Sequence, residues 1–150
     1  MRLALYQPDI PQNAGSLMRL CACLGVTLDI IETCGFLLTD RNFRRAAMDY
    51  RGEVVRHEGW ESFQPRLSGR LVLLTTGAAL PYTEFAFAAS DTLLVGRESA
   101  GVPGAVHDAA DARLLIPMRP GMRSLNVAQA AAMVLGEALR QTRLFPGEPA

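Results

Sequence analysis

Five short, almost wholly apolar runs, each closed within a few residues by glycine or proline, constrain what this 150-residue chain can fold into. They are Arg2 to Tyr6, Val26 to Glu32, Leu71 to Thr75, Thr92 to Val95 and Leu114 to Ile116. A strand with one wet face alternates apolar and polar residues. A run that is apolar throughout must be covered on both faces, as strands are at the centre of a parallel sheet.

The segments between these runs carry helix signals. Leu17, Leu20, Cys21 and Leu24 recur at i, i+3, i+4 and i+7, with Gly25 as a stop. Asp40 caps a predicted helix through Phe43, Ala47 and Met48, and a last helix is expected from about Leu125 to Arg143. Glu53 to His57 reads as a short strand, and Trp60 to Leu67 as a helix disturbed by Pro65. Strands alternating with helices along the whole length predict an α/β fold. It is expected to be a single domain over residues 1–150, a parallel sheet with helices on both faces, with a tail from Phe145 to Ala150 that frays.

Composition removes several function classes. All fifteen basic residues are arginine, so P-loop and Schiff-base chemistry lack the lysine they require. The formal net charge of zero argues against gripping nucleic acid by bulk charge, though not against a local basic face. Arg41, Arg44, Arg45 and Arg51 form one cluster, and Arg119, Arg123, Arg140 and Arg143 bracket the last helix. Either cluster also reads as a solvated helix face. Cys21, Cys23 and Cys34 are too few for a disulfide framework. On a helix, Cys21 and Cys23 would point about 200° apart and could not share a metal ion. With no leader pattern and no apolar run of membrane length, the chain is expected to be cytoplasmic, metal-free and not bound to a membrane.

Three loops marked by glycine follow three of the apolar runs: Leu74 to Gly77, Gly96 to Gly101, and Leu115 to Asn126. In an open parallel sheet ligands bind beyond the carboxyl ends of the strands, so these loops are expected to converge on one crevice. No G-x-G-x-x-G follows the first strand, which disfavours a conventional dinucleotide grip. Arg123, Ser124 and Asn126 stand where the last helix must begin, more polar groups than a cap needs. Arg19 lies opposite the apolar stripe of the first helix, facing solvent, a ligand or a surface ion pair. For Asn13, at the mouth of that helix, capping is the simpler account. Glu98 either orients a substrate group or pairs with Arg97, Arg123 or another arginine. His57 and His107 have no partners at catalytic spacing and read as structural. The small-residue stripe Val127, Ala130, Ala131, Val134 and Ala138 suits close packing within the chain or at a subunit contact.

Four blocks then stand together: Pro8-Asp-Ile-Pro-Gln-Asn-Ala-Gly15 with Arg19-Leu-Cys21, Arg44-Arg-Ala-Ala-Met-Asp-Tyr50, Leu94-Val-Gly-Arg-Glu-Ser-Ala-Gly-Val-Pro103, and Ile116-Pro-Met118 with Arg123-Ser-Leu-Asn126. In this order they resemble the SPOUT-class RNA methyltransferases, and within that class the small enzymes that methylate a wobble-position ribose of tRNA. The resemblance implies a C-terminal deep trefoil knot, which general topological rules would disfavour. It implies a homodimer, and S-adenosyl-L-methionine as methyl donor held by Leu74, Thr75, Gly96, Ile116, Met118, Ser124 and Leu125. It places Arg19, Asn13 and Asn126 at the reaction, with the tRNA anticodon loop as partner and C34 or modified U34 of leucine-type isoacceptors as target. The family often continues Arg-Ser-Leu-Asn-Leu-Ser-Asn-Ala where this chain has Val127-Ala-Gln-Ala130, and often has an aromatic where this chain has Gly136.

The alternatives are 2′-O-methylation of ribosomal RNA, a non-catalytic RNA-binding module, and a small-molecule methyltransferase. Intact Arg19, Asn13 and Asn126 weigh against the second. The third would leave both arginine clusters without a use.

Overall fold

The structure, a computed structural model, describes residues 1–50 and 52–147. Arg51 of the first arginine cluster and residues 148–150 of the tail lie outside the described residues. Strands β1 (Arg2–Tyr6), β2 (Thr27–Ile31), β3 (Val54–His57), β4 (Leu71–Leu74), β5 (Leu80–Pro81), β6 (Thr92–Val95) and β7 (Ala112–Leu115) make one sheet in the order β3-β2-β1-β6-β4-β7-β5. Every neighbouring pair is parallel. The helices are α1 (Pro11–Leu24), α2 (Arg41–Ala47), α3 (Trp60–Phe63), α4 (Gly104–Ala109) and α5 (Val127–Thr142).

The apolar runs are buried on both faces, as their composition requires. Leu3, Leu5, Leu28, Ile30, Leu93 and Val95 face one core with Leu17 and Cys21 of α1 and Val134 and Leu135 of α5. Their neighbours Ala4, Tyr6, Ile31 and Leu94 face a second core with Phe63 of α3 and Val106 of α4. Successive strand residues thus serve opposite layers. One charged residue is fully buried within these runs: Asp29, in the middle of β2. Its Oδ1 accepts from an Arg2 Nη at 2.7 Å and meets His57 Nε2 at 2.6 Å, and its Oδ2 accepts from Arg2 Nε at 2.7 Å. The structural role expected of His57 is to partner this carboxylate.

Several boundaries differ from the sequence expectation. α1 begins at Pro11, well before the apolar stripe, because proline at the first helical position forfeits only an N–H that would be unpaired anyway. Asn13 is therefore inside the helix, and the capping role is overturned: the N-cap is Ile10. The segment after Trp60 splits into α3 and a 3₁₀ turn, Gln64–Arg66, at Pro65. β5 escapes prediction because it is two residues long and contains a proline, which an edge strand tolerates. Ala131, Val134 and Ala138 are fully buried inside the chain, so intrachain packing uses most of the small-residue stripe. Phe145, expected to fray, packs against the first core.

The strand order also sets the site. β6, β4 and β7 are adjacent and parallel, so their following loops leave side by side from one edge of the sheet. The N-termini of α1 and α5 come to the same edge.

Candidate active site

At that edge lies a cleft of about 450 Å³. Leu74 and Thr75 after β4, Gly96 after β6, Ile116 and Met118 after β7, and Ser124 and Leu125 before α5 all line it, together with Asn13 and Asn126. Nine of the ten residues singled out from sequence thus surround one space. The walls are mostly apolar with a few convergent polar groups, and the volume is that of a small-molecule site.

Gly96 shows why glycine stands after β6. A Cβ on it would come within 2.6 Å of the Gly101 carbonyl carbon. The two ends of this loop are tied by paired backbone hydrogen bonds, Arg97 N–H to Gly101 O and Gly101 N–H to Arg97 O, both 2.9 Å. Gly101 closes the turn at φ +64°, where glycine alone is unstrained.

One side of the cleft is a continuous hydrogen-bonded chain. Asn126 Oδ1 caps α5 by accepting from the N–H groups of Ala128 at 2.9 Å and Gln129 at 3.3 Å. Asn126 Nδ2 donates to Asn13 Oδ1 at 2.9 Å, and Asn13 Nδ2 donates to Glu98 Oε1 at 3.2 Å. Glu98 Oε2 accepts from the Asp9 N–H at 3.0 Å. The Asp9 carboxylate accepts from the Ser99 hydroxyl and lies 3.6 Å from Arg97 Nε. Each asparagine amide nitrogen therefore spends one N–H on the network and retains one for a ligand.

The ion pair of Glu98 with an arginine is not what forms. Glu98 is engaged by Asn13 and the Asp9 backbone, and Arg97 turns to Asp9. Burial, reinforced by the neighbouring Asp9 carboxylate, raises the Glu98 pKa above the ordinary carboxylate value. Asp9 is lowered to about 2, first by its hydrogen bond with Glu98, then by Ser99 and Arg97. Sequence reasoning missed Asp9: nothing in the spacing links residue 9 to residue 98, which only the adjacency of β1 and β6 brings together. Because Asn13 donates to the charged form of Glu98, Asn13→Ala is expected to raise the Glu98 pKa further. A carboxyl ¹³C titration should show an upward move at Glu98. An unmoved Glu98 would mean that the Asn13 contact is not maintained in solution.

Arg19 stands apart. It is exposed and is not among the residues lining the cleft. Its guanidinium donates to Met48 Sδ at 3.0 Å and lies 5.0 Å from the centroid of the Tyr50 ring. The alternative of a surface ion pair does not hold among the described residues. Of the departures from the family pattern, Ala128 packs partly buried at the start of α5, and Gly136 has open space where a side chain would extend. Among the described residues no three His, Cys, Asp or Glu side chains are placed to hold a metal ion, and no helix is long and apolar enough to cross a membrane.

Comparison with known proteins agrees with this geometry. The model of the SpoU rRNA Methylase family matches residues 1–136. A protein of Beijerinckia indica named tRNA (cytidine(34)-2′-O)-methyltransferase is 64% identical over 144 residues, covering 93% of this chain and 90% of its own. A solved structure described as giving structural insights into the 2-OH methylation of C/U34 on tRNA superimposes with a TM-score of 0.89 at 38% identity, covering 93% of this chain and 94% of that one. The SpoU methyltransferase AviRb of Streptomyces viridochromogenes, solved in complex with the cofactor AdoMet, superimposes with a TM-score of 0.85 at 26% identity, over 94% of this chain and 60% of that one.

Proposed function

The chain belongs to the SpoU rRNA methylase family, and from that premise we propose that it methylates the ribose 2′-oxygen of nucleotide 34 in tRNA, using S-adenosyl-L-methionine. The target is cytidine 34, and modified uridine 34, of leucine-type isoacceptors. The observation that carries this reading is the convergence of nine family-matched residues on one cleft, in a chain that matches 90% of a relative named for that reaction.

The cleft suits the cofactor on its own chemistry. Leu74, Ile116, Met118 and Leu125 offer apolar surface for a flat base, and the Cβ-free backbone at Gly96 lets a ligand approach closely. Thr75 and Ser124 supply polar atoms at its margins. When bound, S-adenosyl-L-methionine supplies an electrophilic methyl carbon. The protein's tasks are to hold the ribose hydroxyl in line with it and to favour the charge that develops as the hydroxyl proton leaves.

The spare N–H groups of Asn13 and Asn126, with the Ser124 hydroxyl, position the ribose and adjoining phosphate. Arg19 stabilises the developing alkoxide, since a guanidinium hardly ever deprotonates and makes a poor general base. Arg19 does not line the cleft of its own chain, which supports a homodimer in which a second copy completes the site. Exposed Met133 and Ile10 offer apolar surface for that contact. The chain acts as a single cytoplasmic domain over residues 1–150. The insertion of β7 beside β4, with α5 returning to pack on α1 and β6, supports a deep trefoil knot in the C-terminal segment.

Ribose-methylation mapping of total tRNA from cells with and without the protein tests the reading. Loss of the 2′-O-methyl group at position 34 of leucine-type tRNAs is expected. Unchanged methylation there would overturn it.

A further inference from the structure

A second cleft, of about 650 Å³, opens between α1 and the segment from Thr39 to Tyr50. Arg41, Arg44 and Arg45 line it, and none of the three forms an ion pair among the described residues. Arg19 stands beside it with the same lack of a carboxylate partner, held against two of its lining residues, Met48 and Tyr50. Asp49 is the one carboxylate in the lining and forms no ion pair with them among the described residues, so four arginines in a chain of zero net charge leave this cleft with a local excess of positive charge.

The cleft is not merely basic. Met18, Met48 and the Tyr50 ring give it apolar and aromatic surface, and Tyr50 is 41% exposed. Arginines for phosphates beside an aromatic face for a base are the two components with which proteins hold unpaired nucleotides. The turn that brings them together is strained: Met48, a non-glycine residue, closes α2 at φ +56°. Such backbone persists only where the surroundings fix it, and here it sets Met48 Sδ against Arg19.

We propose that this cleft is an RNA subsite separate from the methyl-transfer pocket, in which Tyr50 stacks the base of an anticodon-loop nucleotide flanking the target while Arg44 and Arg45 hold its phosphates. This rests on the reading of the chain as an RNA ribose methyltransferase and adds where the neighbouring nucleotide goes. Arg19 connects the two functions: a base that docks on the Tyr50 ring docks beside the guanidinium assigned to the reacting hydroxyl.

Equilibrium binding of an anticodon stem-loop RNA to the full-length protein, without methyl transfer, tests the subsite independently of activity. Tyr50→Ala is expected to weaken binding about 5- to 100-fold, and Tyr50→Phe and Tyr50→Trp to stay close to wild type, because stacking needs a ring and no hydroxyl. RNA should quench the emission of the introduced indole in Tyr50→Trp. Arg44→Ala with Arg45→Ala is expected to lower the slope of log affinity against log salt by roughly 1.4, about 0.7 for each single-strand phosphate that an arginine no longer neutralises. S-adenosyl-L-methionine affinity should be unchanged in all of them, which also shows that each variant folds.

Wild-type affinity in Tyr50→Ala, or an equal loss in Tyr50→Phe, would overturn the stacking role. An unaltered salt slope would overturn the phosphate role. Loss of wobble methylation together with unimpaired stem-loop binding in these variants would likewise remove the subsite and leave the proposed reaction standing.

Discussion

Arg19→Ala is expected to bind S-adenosyl-L-methionine as the unaltered protein does, and to lose methyl transfer to tRNA by about 10²- to 10³-fold in kcat, the usual cost of removing one donor aimed at a developing oxyanion. Cofactor binding should survive because Arg19 is absent from the lining of the cleft, whose walls come from the loops after β4, β6 and β7. Transfer should fail because the 2′-hydroxyl is weakly acidic and the cleft itself lines up asparagines, a serine, Glu98 and an Arg97 already turned to Asp9, rather than a cation dedicated to the alkoxide. Arg19→Lys should recover only part of the loss, since a compact ammonium cannot reproduce the guanidinium fork or its stacking on Tyr50. Calorimetric titration of the cofactor beside single-turnover transfer of a labelled methyl group separates the two effects. Undiminished turnover in Arg19→Ala would sink the role; failure to bind the cofactor would mean that Arg19 acts on the cleft instead.

The asymmetry between Arg19 and the other nine singled-out residues explains what a reader of the sequence can and cannot recover. Apolar runs reveal strands because burial on both faces leaves no alternative composition. The loops that follow three of those runs then land in one place because parallel strands share a carboxyl edge. That much follows from local pattern and one rule of sheet topology. The partner of Glu98 does not follow, because Asp9 and Asn13 approach it only once β1 lies beside β6, a long-range pairing that no local signal encodes. The start of α1 is hidden by Pro8 and Pro11, which read as a turn although the second is a favoured first helical residue. Arg19 on its exposed helix face is readable; its seat on Met48 and Tyr50 is not, because that seat depends on how α2 packs across α1.

Asp29 is the buried charge that the apolar pattern could not explain, and Asp29→Ala is expected to destabilise the fold by about 3 to 5 kcal/mol. The carboxylate is inaccessible, and its two oxygens engage three nitrogens, two from Arg2 and one from His57. Removing it leaves the His57 ring, itself buried and packed edge-on against Phe63, without its polar partner. The Arg2 guanidinium would be stranded half in and half out of water. For a domain whose total stability is of the order of 5 to 15 kcal/mol this is a large fraction, and thermal unfolding should shift downward by roughly 6 to 20 °C. Asp29→Asn should cost less, because the amide oxygen still accepts one hydrogen bond in the same volume. The pair sits beside Phe63 of the second core, across the sheet from α1, α5 and the cleft, so the molecules that remain folded should bind S-adenosyl-L-methionine unchanged. Adding His57→Leu to Asp29→Ala should restore part of the loss, since an apolar residue needs no partner in that core; the double variant would then be less destabilised than the sum of the two single ones. Strict additivity, or an Asp29→Ala protein within about 1 kcal/mol of wild type in denaturant unfolding, would show that Asp29 and His57 are not coupled as their 2.6 Å contact implies.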